Sequence, residues 1–527
     1  MQWLFVPLIF VLGLIYNRKP LPVYCAKSVF TGDTHAQCFS ISSNLFHKVY
    51  PDRVEGPVRE LNGYVFPGFW DSHGHLIEYG QTLHGLQLYG VDSVAKVRQM
   101  VTEFSDANPA YGSKSRWIQG MGWDQRFFDG KMPKSTDLPE DKYISLTRID
   151  GHCVWVSPAV VKLLPPVVTA PPGGEIFGDG VFCDAAVDLI LQHQPPRTQQ
   201  ETVNLVQTAA KSLLSLGIVG IHDAGVKMPD LMIYNELAAR HMLGVRVVAM
   251  LECEKRNTYC GGTQFIKRGD GFLNMKTVKL FADGALGSWG ASMLEPYDDH
   301  KDSTGTMLIQ EANLKSLVKS YVDKQWQVAV HAIGDQANRA VIDAFMDIED
   351  PRNEKRLRIE HAQIIAPEDQ KRIAERGIIV AVQPTHATSD AAYAVSRLGT
   401  RRLAESAYKM KSWLETNATL ALGSDFPIEP PNPIHGIYAA VKRLSPASGP
   451  GPQPFYPEEA LNIKEAIRGF TIDAAYAGFV DYSAGNIKFG KYADFVVLDQ
   501  DLFDPNVDLR TVKVLETWIG GKKVYSL

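Results

Sequence analysis

The sequence predicts an α/β protein built around a TIM-type (β/α)8 barrel. From about residue 205 onward, helical patterns such as 203–216 alternate with seven short apolar runs rich in β-branched residues. Continuous apolar runs are typical of strands covered on both faces, as in a parallel sheet. With a run that ends at Trp70 they give eight strands, the number in a (β/α)8 barrel. The seven later predicted strands cover 217–222, 245–251, 277–282, 327–331, 357–361, 378–384 and 419–424.

The rest of the chain is predicted to be arranged around residues 65–474, which hold the barrel. The segment from about 76 to 205 lacks the regular alternation and has proline-rich stretches, so we expect a large insertion after strand 1. Residues 23–64 and 475–527 carry hairpin patterns. The two termini are therefore predicted to build one small β-sandwich domain beside the barrel.

The N-terminal residues 1–22 are predicted to be a hydrophobic signal or anchor segment. Their apolar run, 3–16, is shorter than the ~20 residues of a full membrane span, and no Lys or Arg precedes it. A signal peptide, a signal anchor and a plain apolar tail remain open. We expect the secretory pathway, with the protein secreted or membrane-associated through residues 3–16, and a cytoplasmic location is the alternative.

Composition excludes some partners. The chain has 527 residues, a net charge of −5 and no long basic run, which disfavours nucleic-acid binding. A homodimer remains open. The six cysteines are scattered without a C-x-x-C pair, so we expect buried free thiols in preference to disulfides.

Metal-ligand residue types recur at the predicted strand ends. His73 and His75 follow strand 1 at spacing i, i+2 and should project from one face, because side chains alternate along a strand. His331 ends strand 5, His361 ends strand 6 and Asp425 follows strand 8. Functional groups of a (β/α)8 barrel lie at the carboxyl ends of its strands. The pattern therefore predicts a divalent-metal site, because imidazole and carboxylate are ligands of such ions.

Lys279 lies inside the apolar strand 4, where an unpaired charge is costly. Carboxylation would turn its amine into an anionic carbamate that can bridge two metals. The alternative is a lysine paired with an acid such as Asp283. Glu360 precedes His361 and is expected on the opposite face of its strand, in a structural role.

Several of these segments resemble the amidohydrolase superfamily. The segment 67–75 (PGFWDSHGH), the two later strand-end histidines and 423–425 (GSD) carry this resemblance. The phrases 280–288 (LFADGALGS), 331–335 (HAIGD) and 360–363 (EHAQ) are similar to the amidohydrolase-3 (YtcJ-like) branch, which includes N-substituted formamide deformylases. The resemblance extends over about residues 25–525, with 490–498 and 520–524 similar to the family's terminal β-domain.

The resemblance implies a metal-dependent hydrolase with one or two divalent ions, zinc being expected. Its ligands would be His73, His75, His331, His361 and Asp425, with Lys279, carboxylated, as the bridge. The substrate would be a small amide, N-substituted formamide or cyclic amide, cleaved at a non-peptide C–N bond by metal-activated hydroxide. Asp425 would be catalytic, taking a proton from the attacking water and passing it to the departing amine.

Two alternatives remain open. One is an ester or lactone hydrolase that uses the same site, and the other is a catalytically inactive, membrane-tethered binding protein.

Substrate contacts are expected from the insertion, because loops after barrel strands commonly carry them. Trp123, Asp124 and His152 are the candidates there, with Arg148 and Asp150 beside them. Trp123 packing the insertion's own core and a structural Arg148–Asp150 pair are the alternatives. Gln383 and His386, which end strand 7, are also predicted to contact substrate. The pair His222 and Asp223 after strand 2 is either structural or part of the site.

Overall fold

The computed structural model of the protein describes residues 21–171, 173–449 and 452–527. The predicted signal or anchor segment lies outside the described residues, except for Leu21 and Pro22. In the described part of the chain, no helix has the length and apolar character needed to span a membrane.

The strands are numbered in chain order. The first six are β1 Val23–Phe30, β2 His35–Ser42, β3 Leu45–Tyr50, β4 Arg59–Glu60, β5 Tyr64–Pro67 and β6 Phe69–Gly74. The insertion contributes β7 Leu86–Gln87, β8 Ile118–Trp123, β9 Ile144–Arg148, β10 Cys153–Val156, β11 Gly174–Phe177 and β12 Val181–Asp184. Next come β13 Ile218–Val226, β14 Arg246–Leu251, β15 Ile266–Lys267, β16 Leu273–Phe281, β17 Gln327–Ala332, β18 Arg358–His361, β19 Ile379–Val382 and β20 Leu420–Leu422. The last are β21 Phe495–Leu498, β22 Val514–Ile519 and β23 Lys522–Ser526.

Most of the α-helices lie between barrel strands along the chain, whereas those over residues 94–107, 158–161 and 188–191 belong to the insertion. The α-helices are α1 Leu76–His84, α2 Val94–Ala107, α3 Pro158–Val161, α4 Asp188–Leu191, α5 Gln199–Ser215, α6 Met228–Ala239, α7 Glu311–Val322, α8 Asp335–Met346, α9 Pro367–Arg376, α10 Pro384–Asp390, α11 Ala394–Ser406, α12 Lys411–Glu415, α13 Pro433–Lys442, α14 Ile463–Arg468 and α15 Ala474–Ala477. Capping side chains help to define the residues at which helices begin. In α5, Thr198 and Glu201 form a reciprocal capping box that satisfies free N–H groups at the helix start.

The eight predicted barrel strands are confirmed. Strands β6, β13, β14, β16, β17, β18, β19 and β20 pair in parallel in this order. The barrel closes where the segment after β20 meets β6: the backbone N–H of Asp425 donates to the His73 carbonyl at 2.7 Å, and that of His75 to the Phe426 carbonyl at 2.8 Å. Closure of the barrel therefore places the histidines at the end of β6 next to the residues that follow β20.

A buried carboxylate reinforces this closure. Asp71, on β6, accepts hydrogen bonds from the Ser424 hydroxyl at 2.6 Å and from the Ser424 backbone N–H at 3.1 Å. It also accepts from the His73 backbone N–H at 3.0 Å. The first and last barrel strands are thus tied together directly beneath the strand ends.

The insertion is a separate layer with its own sheet and core. Strands β7 to β12 form a six-stranded sheet in the order β11-β12-β10-β9-β8-β7. Buried side chains such as Trp123, Leu146 and Trp155 pack into one apolar cluster there. This layer supplies several walls of the cavity over the barrel.

Both termini share the small β-domain, as predicted. Strands β1 to β5 join β21 to β23 in one eight-stranded mixed sheet, in which β21 pairs antiparallel with β5. A buried pair holds this domain on the barrel, because Arg246 of β14 contacts both carboxylate oxygens of Asp494 at 2.6 and 3.0 Å.

The prediction of free thiols is wrong. All six cysteines are paired, as Cys25–Cys38, Cys153–Cys183 and Cys253–Cys260. The first two pairs join directly opposed residues of antiparallel strands, β1 with β2 and β10 with β12. Cysteine spacing along the chain did not reveal these pairs, because register between strands brings them together.

Candidate metal centre

The five predicted strand-end ligands meet at one end of the barrel. The His73 ring lies 5.6 Å from the His75 ring and 4.7 Å from the His361 ring, measured between centroids. The His331 ring lies 4.5 Å from that of His361. Parallel strands of one barrel end at the same rim, so residues far apart in the chain converge.

Asp425 completes the cluster. One ligand atom each from His73, His361 and Asp425 fall within 4.8 Å of one another. Asp425 Oδ1 lies 3.5 Å from His73 Nε2 and 3.2 Å from His75 Nε2. A backbone φ of +60° at Asp425 holds the carboxylate here, in a left-handed conformation that is uncommon for a residue with a side chain.

The protonation pattern of the cluster fits a cation. His73 Nδ1 lies 2.5 Å from the Glu360 carboxylate, so the ring proton is assigned to Nδ1 and the Nε2 lone pair faces Asp425 Oδ1. That oxygen is buried and has no hydrogen-bond partner of good geometry among the described residues. Two electron-pair donors facing each other in a buried site suit a positive ion between them.

The expected position of Glu360 on the far face of its strand is wrong. His361 has a φ of +74°, and this left-handed residue breaks the alternation at the end of β18. The Glu360 carboxylate consequently turns into the barrel interior and bonds to His73, while His361 remains in the cluster. Glu360 is thus a positioning residue for a candidate ligand.

Glu360 belongs to a buried hydrogen-bond network. Arg358 contacts both Glu360 carboxylate oxygens, and its Nη1 lies 2.8 Å from His222 Nδ1. His222 therefore takes a structural role beneath the site. It is not paired with Asp223, which accepts a hydrogen bond from the Tyr234 hydroxyl at 2.7 Å.

Lys279 lies in the middle of the ligands. Its Nζ is 3.5 Å from His73 Nε2, and the side chain is almost fully buried. Burial lowers the pKa of this amine, which favours the neutral form that can react with carbon dioxide. The alternative partner Asp283 is engaged elsewhere, because its carboxylate accepts backbone N–H groups from Ser292, Ile333 and Gly334.

The electrostatics keep three of the histidines and Asp425 in their binding forms. At His75 burial lowers the pKa, but the nearby Asp425 outweighs burial and raises it. Burial, with the nearby Lys279 or a neighbouring histidine, pushes the pKa of His73, His331 and His361 well below its usual range. Burial opposes ionisation of Asp425, but His73 and His75 outweigh it and hold the pKa of that carboxyl far below its ordinary value. Neutral imidazole and ionised carboxylate are the forms that bind metals.

A cavity of about 610 Å³ opens above these residues and is lined by the barrel rim and the insertion. Asp124, His152 and His386 line it, as do Arg148 and Asp150. Its size and its mixed polar and apolar walls suit a small organic molecule.

Two predicted substrate contacts do not line this cavity. Trp123 is fully buried in the insertion core, where its Nε1 donates to the Leu146 carbonyl at 2.8 Å. Gln383 lies beside the site, and its Oε1 is 3.0 Å from His361 Nδ1. Gln383 therefore orients the ring of His361, a candidate metal ligand. Large aromatic residues in an insertion also build its core, and the sequence pattern did not separate the two roles.

Sequence reasoning missed Asp184, whose Oδ1 lies 2.8 Å from His152 Nδ1. A signal was present, since His152 adjoins Cys153 and Asp184 adjoins Cys183. Pairing these two cysteines would have brought His152 and Asp184 together.

Comparisons with known proteins identify the family of the chain. A model of the amidohydrolase family matches residues 61–525. The chain is 32% identical to the putative amidohydrolase YtcJ of Bacillus subtilis, over 88% of this chain and 90% of that protein. It is 30% identical to the protein LONG AFTER FAR-RED 3 of Arabidopsis thaliana, over 88% of this chain and 82% of that protein. It is 23% identical to an N-substituted formamide deformylase of Arthrobacter pascens, over 94% of both chains.

A solved structure shares the architecture. The crystal structure of an uncharacterized metal-dependent hydrolase from Pyrococcus horikoshii OT3 superposes with a TM-score of 0.75 and 25% identity, over 92% of this chain and 98% of that one. The family match spans most of the chain and includes every candidate ligand. The chain therefore belongs to the amidohydrolase family of hydrolases, in its amidohydrolase-3 branch.

Proposed function

We propose that this hydrolase uses zinc to cleave a non-peptide C–N bond in a small amide, N-substituted formamide or cyclic amide. One observation carries the proposal: ligand atoms of Asp425, His73 and His361 lie within 4.8 Å of one another, at the base of a substrate-sized cavity. The formamide deformylase among the relatives supports this substrate class.

The metal would be held by His73, His75, His331, His361 and Asp425. Nitrogen and oxygen donors in this mixture suit zinc. A second ion would require a further anionic ligand, which carboxylated Lys279 would provide from its place 3.5 Å from His73. When bound, the metal supplies an acidified water and polarises the substrate carbonyl.

Asp425 is the proton carrier of this proposal. Its carboxylate is held ionised, and its Oδ2 lies 3.7 Å from His386 Nε2 at the cavity wall. Asp425 takes a proton from water as the water oxygen bonds to the carbonyl carbon. The C–N bond then breaks, and Asp425 gives that proton to the departing nitrogen.

This proton transfer favours amides over esters. An amine leaves poorly unless its nitrogen is protonated, whereas an alcohol leaves more easily. A carboxylate placed to collect and return a proton therefore contributes most to C–N cleavage. The cluster of His73, His361 and Asp425 also speaks against a binding protein that has lost its catalytic centre.

The experiment is a matched substrate panel. The purified protein, loaded with zinc, is assayed with N-substituted formamides, other amides, cyclic amides and the esters and lactones of the same shapes. We expect the enhancement of kcat/KM over the uncatalysed rate constant to be highest for amide-type substrates. A higher enhancement for esters and lactones would favour that alternative, and substoichiometric zinc without turnover would favour a binding protein.

We also propose that the protein enters the secretory pathway. Three disulfides support this location, because disulfides form and persist in oxidising compartments. A tagged protein should sediment with secretory membranes or appear in the medium. Its six cysteines should be oxidised and therefore unreactive toward thiol reagents. Recovery from the cytosol with free thiols would overturn the proposal. The homodimer remains a prediction that light scattering can check.

A further inference from the structure

The insertion brings one histidine to the cluster of candidate metal ligands from outside the barrel. His152 lines the cavity, and its ring centroid lies 5.6 Å from that of His331. Asp425 contacts a different part of the cluster, formed by His73, His75 and His386. A substrate bound above the ligands would therefore meet Asp425 on one side and His152 on the other.

Asp184 fixes the orientation of His152. Its Oδ1 lies 2.8 Å from His152 Nδ1, and its backbone N–H donates to the His152 carbonyl at 2.8 Å. The second ring nitrogen, Nε2, has no hydrogen-bond partner among the residues that the structure describes. The pair thus leaves one polar atom of a cavity-lining side chain available for a ligand.

The backbone conformation and the surroundings of Asp184 are both unusual. Its φ of +51° lies in the left-handed region, which is costly for a residue other than glycine. Two glycines of the loop after β16 adjoin its carboxylate. A Cβ on Gly284 would lie 2.6 Å from Oδ1, and a Cβ on Gly290 would lie 2.8 Å from Oδ2. Only glycines allow the loop to approach this closely.

A disulfide holds both members of the pair. Cys153 follows His152, Cys183 precedes Asp184, and the two cysteines are bonded across β10 and β12. The bond therefore fixes the separation of the two strands at the point where each delivers a side chain to the cavity. Strain at a fixed polar group inside a cavity is more typical of a functional role than of packing alone.

Resting on the hydrolase function proposed above, we infer that His152 contacts the scissile amide of the substrate, on the side of the cluster away from Asp425. Asp184 is the positioning residue for His152, and the Cys153–Cys183 disulfide keeps the pair in place. The insertion thereby takes part in the reaction and is more than a cover over the barrel.

The first test uses His152→Ala and His152→Gln with the best amide substrate. We expect kcat/KM to fall about 100-fold, as for removal of one hydrogen-bonding group from a reacting centre. Zinc content and unfolding temperature should stay at the level of the unchanged protein. Added imidazole should restore part of the activity of His152→Ala, which a purely structural loss would not allow.

A second readout does not depend on turnover. A phosphonamidate analogue of the substrate imitates the tetrahedral transition state, and calorimetry measures its affinity for the zinc-loaded protein. The affinity should fall in both His152 variants. Asp184→Asn should lower kcat about 10-fold with little change in KM, as for other residues that orient a functional group.

The disulfide is tested by the double change Cys153→Ala and Cys183→Ala. Its matched control removes the Cys25–Cys38 bond in the same way, in the β-domain and away from the cavity. Only the first variant should lose activity while it keeps zinc.

The outcomes separate the two proposals. If the unchanged protein turns over amides and folded His152 variants match it in turnover and analogue affinity, the inference about His152 is wrong. If the unchanged protein turns over no member of the panel, the proposed function fails, and the inference fails with it.

Discussion

The Glu360 carboxylate lies 2.5 Å from His73 Nδ1, and both side chains are completely buried. This contact sets the orientation and tautomer of the ring whose other nitrogen faces Asp425. A carboxylate hydrogen-bonded to a ligating histidine also raises the electron-donating power of the ring. We therefore expect the metal affinity of the site to depend on Glu360, a residue that would not itself contact the ion.

The change Glu360→Gln should weaken zinc binding about 10- to 100-fold, because an amide holds His73 less firmly and adds no charge. Competition with a chelator measures the affinity. Glu354→Gln is the control, since Glu354 is exposed and pairs with Arg352 at the surface. Equal affinities in the two variants would show that the contact with His73 does not tune the site.

Lys279 should be carboxylated in the loaded protein. Its buried position beside His73 favours the neutral amine, and a carbamate would provide the negative charge that a second zinc needs. We expect a carbamate carbon signal by NMR after reconstitution with labelled bicarbonate. Lys279→Gln should lose this signal and one equivalent of zinc.

Lys276→Gln is the matched control for that experiment. Lys276 lies on the same strand, is only half-buried and packs over the Phe479 ring outside the ligand cluster. It should keep both the signal and the metal. One zinc per chain in the unchanged protein, with no carbamate signal, would contradict the two-metal form.

The contact between Arg246 and Asp494 should contribute strongly to the stability of the two-domain structure. Both groups are buried, and loss of one partner leaves an uncompensated charge, which costs about 3–5 kcal/mol. Asp494→Ala should therefore lower the unfolding temperature clearly in a thermal melt. Glu60→Ala is the control, because the Arg53–Glu60 pair is half-exposed and such pairs contribute about 0–1 kcal/mol. Equal melting temperatures would refute this role.

The sequence predicted the barrel and the convergence of its strand-end residues because both follow from simple rules. Apolar runs mark strands covered on both faces, and parallel strands deliver their last residues to one rim. His331 and Asp425 were identified from their place after such runs, although 94 residues separate them. Neither inference needs knowledge of side-chain conformation.

The errors concern features that no local pattern in the sequence reveals. The left-handed residue His361 reverses the expected direction of Glu360, and no local pattern in the sequence announces a positive φ there. The disulfides depend on the register of β1 with β2 and of β10 with β12, which is set by tertiary contacts. Trp123 was misplaced because an aromatic residue near a cavity can equally belong to a core.

Asp425→Asn should abolish most activity and leave the barrel folded. The amide cannot take a proton from water, and loss of a general base costs about 10²–10⁴-fold in rate. Asp223→Asn is the matched control, with the same chemical change on a buried residue of β13 that bonds to Tyr234.

That control should be tolerated, because burial raises the pKa of Asp223 to about 7 and the site accepts an uncharged side chain. Circular dichroism checks the fold of both variants, and kcat with the best amide checks activity. A folded Asp425→Asn protein with the turnover of Asp223→Asn would exclude Asp425 as the proton carrier.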